Sequence, residues 1–150
     1  MLINLTLLQR RLGKMDAQQI TVRRMERPAK KALEQELEAF CNSLGMATDE
    51  NSVAKNIFRE ILQKEQKGKE GGVRSIVISR KMQLTRGGTV YHLNKLMESG
   101  LIVRRGREYE LRGQSLQDTV DEMEDDMRRM FKMIKRMAVE IDEEMGIERF

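Results

Sequence analysis

The sequence predicts a mainly α-helical protein with one small β-hairpin and a long C-terminal helix. Three observations lead there. Only 4% of the 150 residues are aromatic, none is Trp and 35% are charged, a profile of solvated helices rather than of a sandwich or barrel. Apolar residues recur at steps of three and four in several separate segments, the spacing of a helix face. One stretch, LIVRRGREYEL, instead alternates around a glycine, the pattern of a hairpin. The chain divides on these patterns into an N-terminal arm and helix (1–48), a central unit (49–113) and a C-terminal helix (114–150).

The first elements are short. Ile3, Leu5 and Leu7 alternate with polar residues, as do Ile20 and Val22, which suggests two short strands in a hairpin or arm. Leu2, Leu5, Leu8 and Leu12 fit a helix equally well. Pro28 suits the first turn of a helix, where its missing N–H is harmless. Leu33, Leu37, Phe40 and Leu44 follow as one stripe, and Gly45 supplies the stop. Thr48 or Asp49 can cap the next helix, whose core face is Val53, Ile57, Phe58, Ile61 and Leu62. KGKEGG, Lys67 to Gly72, ends it as a charged loop. RSIVISRKMQ reads as a short helix despite its β-branched residues. Thr85 caps a further helix, which runs to about Ser99 and stops at Gly100. Two strands then flank Gly106, with Leu101, Val103, Tyr109 and Leu111 on the inner face.

Helix, short helix, turn, helix and hairpin is the order of a winged helix-turn-helix with the hairpin as its wing. HLNKLMESGLI, His92 to Ile102, resembles the HLxxLxxAGLV segment of ArsR-type winged-helix regulators, and the hairpin ending in YEL resembles their wing. The resemblance covers about residues 49–113. It implies a DNA-binding domain in which Thr85, Arg86, Gly87, Val90, Tyr91, Asn94 and Lys95 line the major-groove face. It also implies action by operator occupancy, with repression ranked ahead of activation and the choice between them left open. In the resembling pattern His92 belongs to the signature of the fold, so it is read as a packed histidine ahead of a base-reading one.

Spacing agrees with that assignment. At 100° per residue, Thr89, Val90, Leu93, Leu96 and Met97 gather on one side of the helix, with Gly88, Tyr91 and Lys95 opposite. Gly87 and Gly88 would let a phosphate approach the N–H groups of the helix N-terminus, at a cost of about 1 kcal/mol per glycine in helix propensity. The competing reading is close packing against the preceding helix. Arg104, Arg105 and Arg107 at the wing tip can reach phosphates or a minor groove. From Arg74 to Arg112 there are nine basic residues against three acidic ones.

The tail repeats every seven residues. Val120, Met127, Ile134 and Ile141 take the a positions and Leu116, Met123, Met130 and Met137 the d positions of a coiled-coil heptad. Mostly β-branched a positions are compatible with a parallel pair. The e and g positions do not specify a simple zipper, because Glu124, Asp126 and Glu140 lack basic partners there, so the orientation stays open. The seam is read as a dimerisation surface, with an adaptable Met-rich partner groove or a helix folded onto its own chain as alternatives.

Charge is segregated along the chain. Residues 1–48 hold 8 basic and 5 acidic side chains, residues 49–113 hold 14 and 8, and residues 114–150 hold 6 and 11. The middle is thus net +6 and the tail −5, a basic working surface joined to an acidic element. One cysteine, Cys41, and one histidine allow neither an internal disulfide nor a zinc site of these ligand types, and no cofactor is implied. No triad or metal pattern accompanies them, so an enzyme is not expected. The opening MLINLTLLQRR is too short to span a bilayer and lacks the features of a signal peptide, which makes a cytoplasmic protein the expectation. The combined expectation is a homodimeric, sequence-specific regulator that binds double-stranded DNA. The alternative is a winged-helix interaction module of a larger assembly with only non-specific nucleic-acid affinity.

Overall fold

A computed structural model describes residues 18–27, 29, 32–46, 51–66 and 71–148. Within them the chain forms helices α1 (Leu33–Ser43) and α2 (Asn51–Gln66), strand β1 (Val73–Arg74), helices α3 (Ser75–Met82) and α4 (Arg86–Ser99), strands β2 (Ile102–Arg105) and β3 (Glu108–Leu111), and helix α5 (Leu116–Met145). The architecture is mainly helical, with a small antiparallel sheet in the order β1-β3-β2 and a long C-terminal helix. No described helix is long and apolar enough to cross a membrane.

The core sits where α2 and α4 meet the sheet. Ile57, Phe58 and Ile61 of α2, Ile78 of α3, Leu93 and Leu96 of α4, and Leu101, Ile102, Tyr109 and Leu111 are all buried, each apolar side chain worth about 1.5–3 kcal/mol on burial. Val53 and Leu62 pack at its edge, so the apolar face read for α2 is the one used. From α1, Leu37, Phe40 and Leu44 pack against the core and Phe40 stacks on Phe58 at 6.1 Å between ring centres. Leu33, expected in that stripe, is exposed at the start of the helix.

Several expectations shift. Strand β1 was not anticipated; at two residues it is too short to show alternation, and it forms because Val73 and Arg74 pair with Tyr109 and Glu108. Gly72 precedes it because a Cβ there would lie 2.2 Å from the Tyr109 carbonyl oxygen, a space only glycine leaves open. In β2 the inner residue is Ile102, opposite Leu111, while Val103 is half-buried. Leu101 precedes the strand and enters the core from the turn, so the alternation begins one residue later than the sequence suggested. Gly100 makes that turn at φ +89°, ending α4 as expected.

Residues 18–27 form no strand. They run as an arm whose Gln19 N–H donates to the Glu98 carbonyl at 2.9 Å and whose Arg23 N–H donates to the Ser43 carbonyl. Ile20 packs on the core, whereas Val22 is exposed. The strand read at residues 2–8, the first-turn role of Pro28, the caps at Thr48 and Asp49 and most of the KGKEGG loop lie outside the described residues.

Among the described residues, helix α5 is joined to the rest at its first three turns. Ser115 caps it by accepting from the Asp118 N–H at 3.0 Å, and the Gly113 N–H donates to Thr119 Oγ1 at 3.0 Å. Thr119, Met123 and Asp126 are buried and Leu116 packs against the core. From Phe131 to Ile141 every residue is exposed.

Candidate nucleic-acid interface

The N-terminus of α4 is set by hydroxyl groups. Thr85 Oγ1 accepts from the Gly88 N–H at 3.0 Å, and the Thr85 carbonyl accepts both the Thr89 N–H at 3.0 Å and the Thr89 hydroxyl at 2.9 Å. Thr89 is fully buried, and its Oγ1 lies 2.8 Å from the Ser79 hydroxyl, which fixes α3 against α4. Through its side chain Thr85 takes up one of the four N–H groups that a helix start leaves without intrahelical partners, that of Gly88. Those of Arg86 and Gly87 remain at the exposed tip.

The two glycines differ. A Cβ at Gly87 would meet no other atom within 4 Å, so this residue faces open space and does not serve packing against α3. A Cβ at Gly88 would come 2.9 Å from Thr85 Oγ1, crowding the cap. Openness at position 87 is what close approach by a ligand requires, whereas position 88 keeps the cap intact.

The apolar face of α4 lies where expected, with Thr89, Leu93 and Leu96 buried and Val90 and Met97 half-buried. Arg86, Gly87, Tyr91, Asn94 and Lys95 are exposed, Tyr91 at 58%. The far half of this face is shared. Lys95 lies 3.7 Å from the Glu98 carboxylate and 5.7 Å from the Tyr91 ring centre, and His92 meets that ring edge-on at 5.3 Å. Tyr91, His92 and Lys95 also border a cleft of about 200 Å³, lined as well by Gln19 and Thr21 of the arm and by Leu44, Met46 and Ala54. His92 is half-buried there, nearer the packed reading than the base-reading one. The arm's approach to α4 had no legible signal, since the hydrogen bond that joins them, from the Gln19 N–H to the Glu98 carbonyl, is between backbone groups.

The hairpin arginines divide. Arg105 pairs with Glu110 across the strands. Arg104 donates from Nε to the Gly106 carbonyl at 2.9 Å and lies 5.8 Å from the Tyr109 ring centre. Arg107, at the turn, and Arg86, at the tip of α4, are exposed and carry no ion pair among the described residues. Two of the three wing arginines are therefore partly committed within the hairpin, and Arg107 is the free one.

Arg112 leaves the basic surface altogether. Its guanidinium pairs with Asp126, with Nη2 to Oδ1 at 3.2 Å and a shorter Nη1 to Oδ2 contact, and its Nε lies 2.9 Å from Glu122. Asp126 also accepts from Gln18 at 2.7 Å and from Arg129. Burial alone would raise the Asp126 carboxyl, but the hydrogen bonds from Arg112, Gln18 and Arg129 and the charge of Arg112 hold it below its ordinary value. The Asp126 hydrogen bond in turn raises the Arg112 guanidinium. Asp126 lacks a basic partner in the heptad because its partners belong to its own chain.

Of the dimerisation residues read from the tail, Met123 is 3% exposed and Leu116 is half-buried, both used by the chain's own core. Met127 and Met130 are half-buried, whereas Val120, Ile134, Met137 and Ile141 are exposed. Cys41 is a core residue, and burial pushes its thiol up to about 11, with Lys55 and Arg59 opposing.

Comparison with known protein families finds no match, and neither curated proteins nor solved structures give one.

Proposed function

We propose that the chain is a homodimeric, sequence-specific DNA-binding transcription regulator of the cytoplasm, a repressor of ArsR-like winged-helix type. The observation that carries this reading is the sequence of α3, a left-handed residue at Gln83, α4 with an exposed polar face, and a hairpin paired to the short strand before α3. That order is the one a winged helix-turn-helix uses to present its second helix to a major groove. Arg86 and the open backbone at Gly87 would bind phosphate at the start of α4. Asn94 and Tyr91 would meet base edges, and Arg107 would hold the flanking backbone. The exposed half of α5 would pair two copies.

A second reading also has an observation behind it. Arg104 and Arg105 are engaged within the hairpin, and the Met-rich stripe of α5 is broad, which suits a module that binds protein more tightly than DNA. Selection of bound sequences from a pool of randomised duplexes at moderate salt separates the two. Enrichment of one motif containing a two-fold repeat supports the regulator, and uniform recovery supports the interaction module.

A further inference from the structure

Lys132 has no acidic neighbour on its own helix. The residues three and four positions away on either side are Arg128, Arg129, Lys135 and Arg136, all basic, and residues 127–139 hold no acidic side chain. Like charges at these spacings repel across a helix surface, and a helix face that is merely solvated interleaves the two signs instead. All five cations are exposed. Arg128 is paired with Glu124 at 2.6 Å and Arg129 with Asp126, whereas Lys132, Lys135 and Arg136 make no ion pair or hydrogen bond among the described residues. Those three, with Val139 and Glu140, border one shallow depression on the helix surface.

At 100° per residue the five cations centre about 160° from Ile134. They therefore lie opposite the exposed apolar stripe of Phe131, Ile134, Met137 and Ile141. A helix packed over that stripe leaves them open to solvent. The domain does not cover them either, since no described residue of α5 beyond Asp126 is buried.

We infer that this face, centred on Lys132, binds the phosphate backbone of duplex DNA as a contact separate from α4 and the wing. Three kinds of partner carry the complementary charge, and the make-up of the face chooses between them. A protein interface needs apolar anchors at its centre, and Val139 supplies little of that here. An anionic membrane would take up the apolar stripe, and a helix lying on it that way turns these cations into the water. A phosphate backbone needs cations alone. From Arg128 to Arg136 the helix rises about 12 Å, a length over which a duplex presents about seven phosphate charges. Base reading by α4 is not required, so the inference stands under either reading above.

The test uses the full-length chain and a duplex of scrambled sequence. Lys132→Ala, Lys135→Ala and Arg136→Ala are combined, since Ala preserves the helix. Fluorescence anisotropy at several salt concentrations should show the slope of log affinity against log salt flattened by up to about 2.7, from about 0.9 per lost phosphate contact. Lys132→Arg with Lys135→Arg keeps the charges and should keep the wild-type slope. An unchanged slope in the alanine variant would overturn the assignment. A photo-crosslinker on Lys132→Cys should join the chain to the duplex, because Cys41 is buried and stays unlabelled. A flattened slope without cross-linking would reflect net charge acting at a distance and would overturn the contact. Loss of binding to phosphatidylserine vesicles with duplex affinity unchanged would give the face to a lipid surface instead. The alanine variant should keep the wild-type ratio of affinities for selected and scrambled sites, which comes from base contacts. A wild type with no such preference would remove the sequence-specific regulator and leave this face standing.

Discussion

Arg112, just past the hairpin, and Asp126, nearly three turns into α5, form a two-pronged ion pair that fixes the angle at which the long helix leaves the domain. Gln18 of the arm donates to the same carboxylate, so one side chain holds three separate parts of the chain together. Such a node is rigid only while the carboxylate is charged.

Replacing Asp126 with Asn keeps the shape and removes the charge. Breaking a buried pair from one side costs about 3–5 kcal/mol, and the Arg112 side chain remains 20% exposed, so the lower end of that range is expected. Urea unfolding measures it. Because the folded carboxyl lies below its ordinary value, the stabilisation is complete above about pH 4 and is lost as pH falls through the folded value. The Asn variant should lack this part of the acid limb.

Gly87→Ala separates stability from function. The site is open space, so the substitution should raise stability by up to about 1 kcal/mol through helix propensity. It should nevertheless weaken duplex binding, because the methyl group stands where a phosphate would approach. Equal affinity for DNA would show that the tip of α4 does not touch the backbone. Thr85→Ala should instead cost about 1 kcal/mol from the lost cap.

The free arginines should matter more than the engaged ones. Arg86→Ala and Arg107→Ala are each expected to flatten the dependence of log affinity on log salt by about 0.9. Arg105→Ala, whose side chain already pairs with Glu110, should change it less. Fluorescence anisotropy at four salt concentrations gives the slopes.

Cys41 should be inert in the folded protein. Its thiol is buried and pushed up to about 11, so it is neutral at pH 8. Ellman's reagent should find no reactive thiol in the native chain and one per chain in denaturant; rapid native reaction would contradict the burial.

Periodicity made most of the helices legible because each buries one face, and Val53, Ile57, Phe58, Ile61 and Leu62 announced α2 directly. The Thr85 cap and the Gly100 stop were equally plain, since each is a local interaction with a fixed residue type. What stayed hidden depends on distant partners. Two-residue β1 exists only through Tyr109 and Glu108, and the inner residue of β2 moved by one because Leu101 reached the core from the turn. Arg112 looked like one more surface cation until Asp126, 14 positions on, folded beside it. The heptad was readable throughout, but its first turns serve the chain's own core, because a seam of Leu and Met carries no mark of which surface will cover it.

The most direct measurement is a titration of the wild-type chain against a duplex carrying the selected two-fold site and against the same duplex scrambled, at matched salt. The account predicts two chains per site and affinity about 10³-fold or more above the scrambled duplex. Equal affinity for both would contradict it.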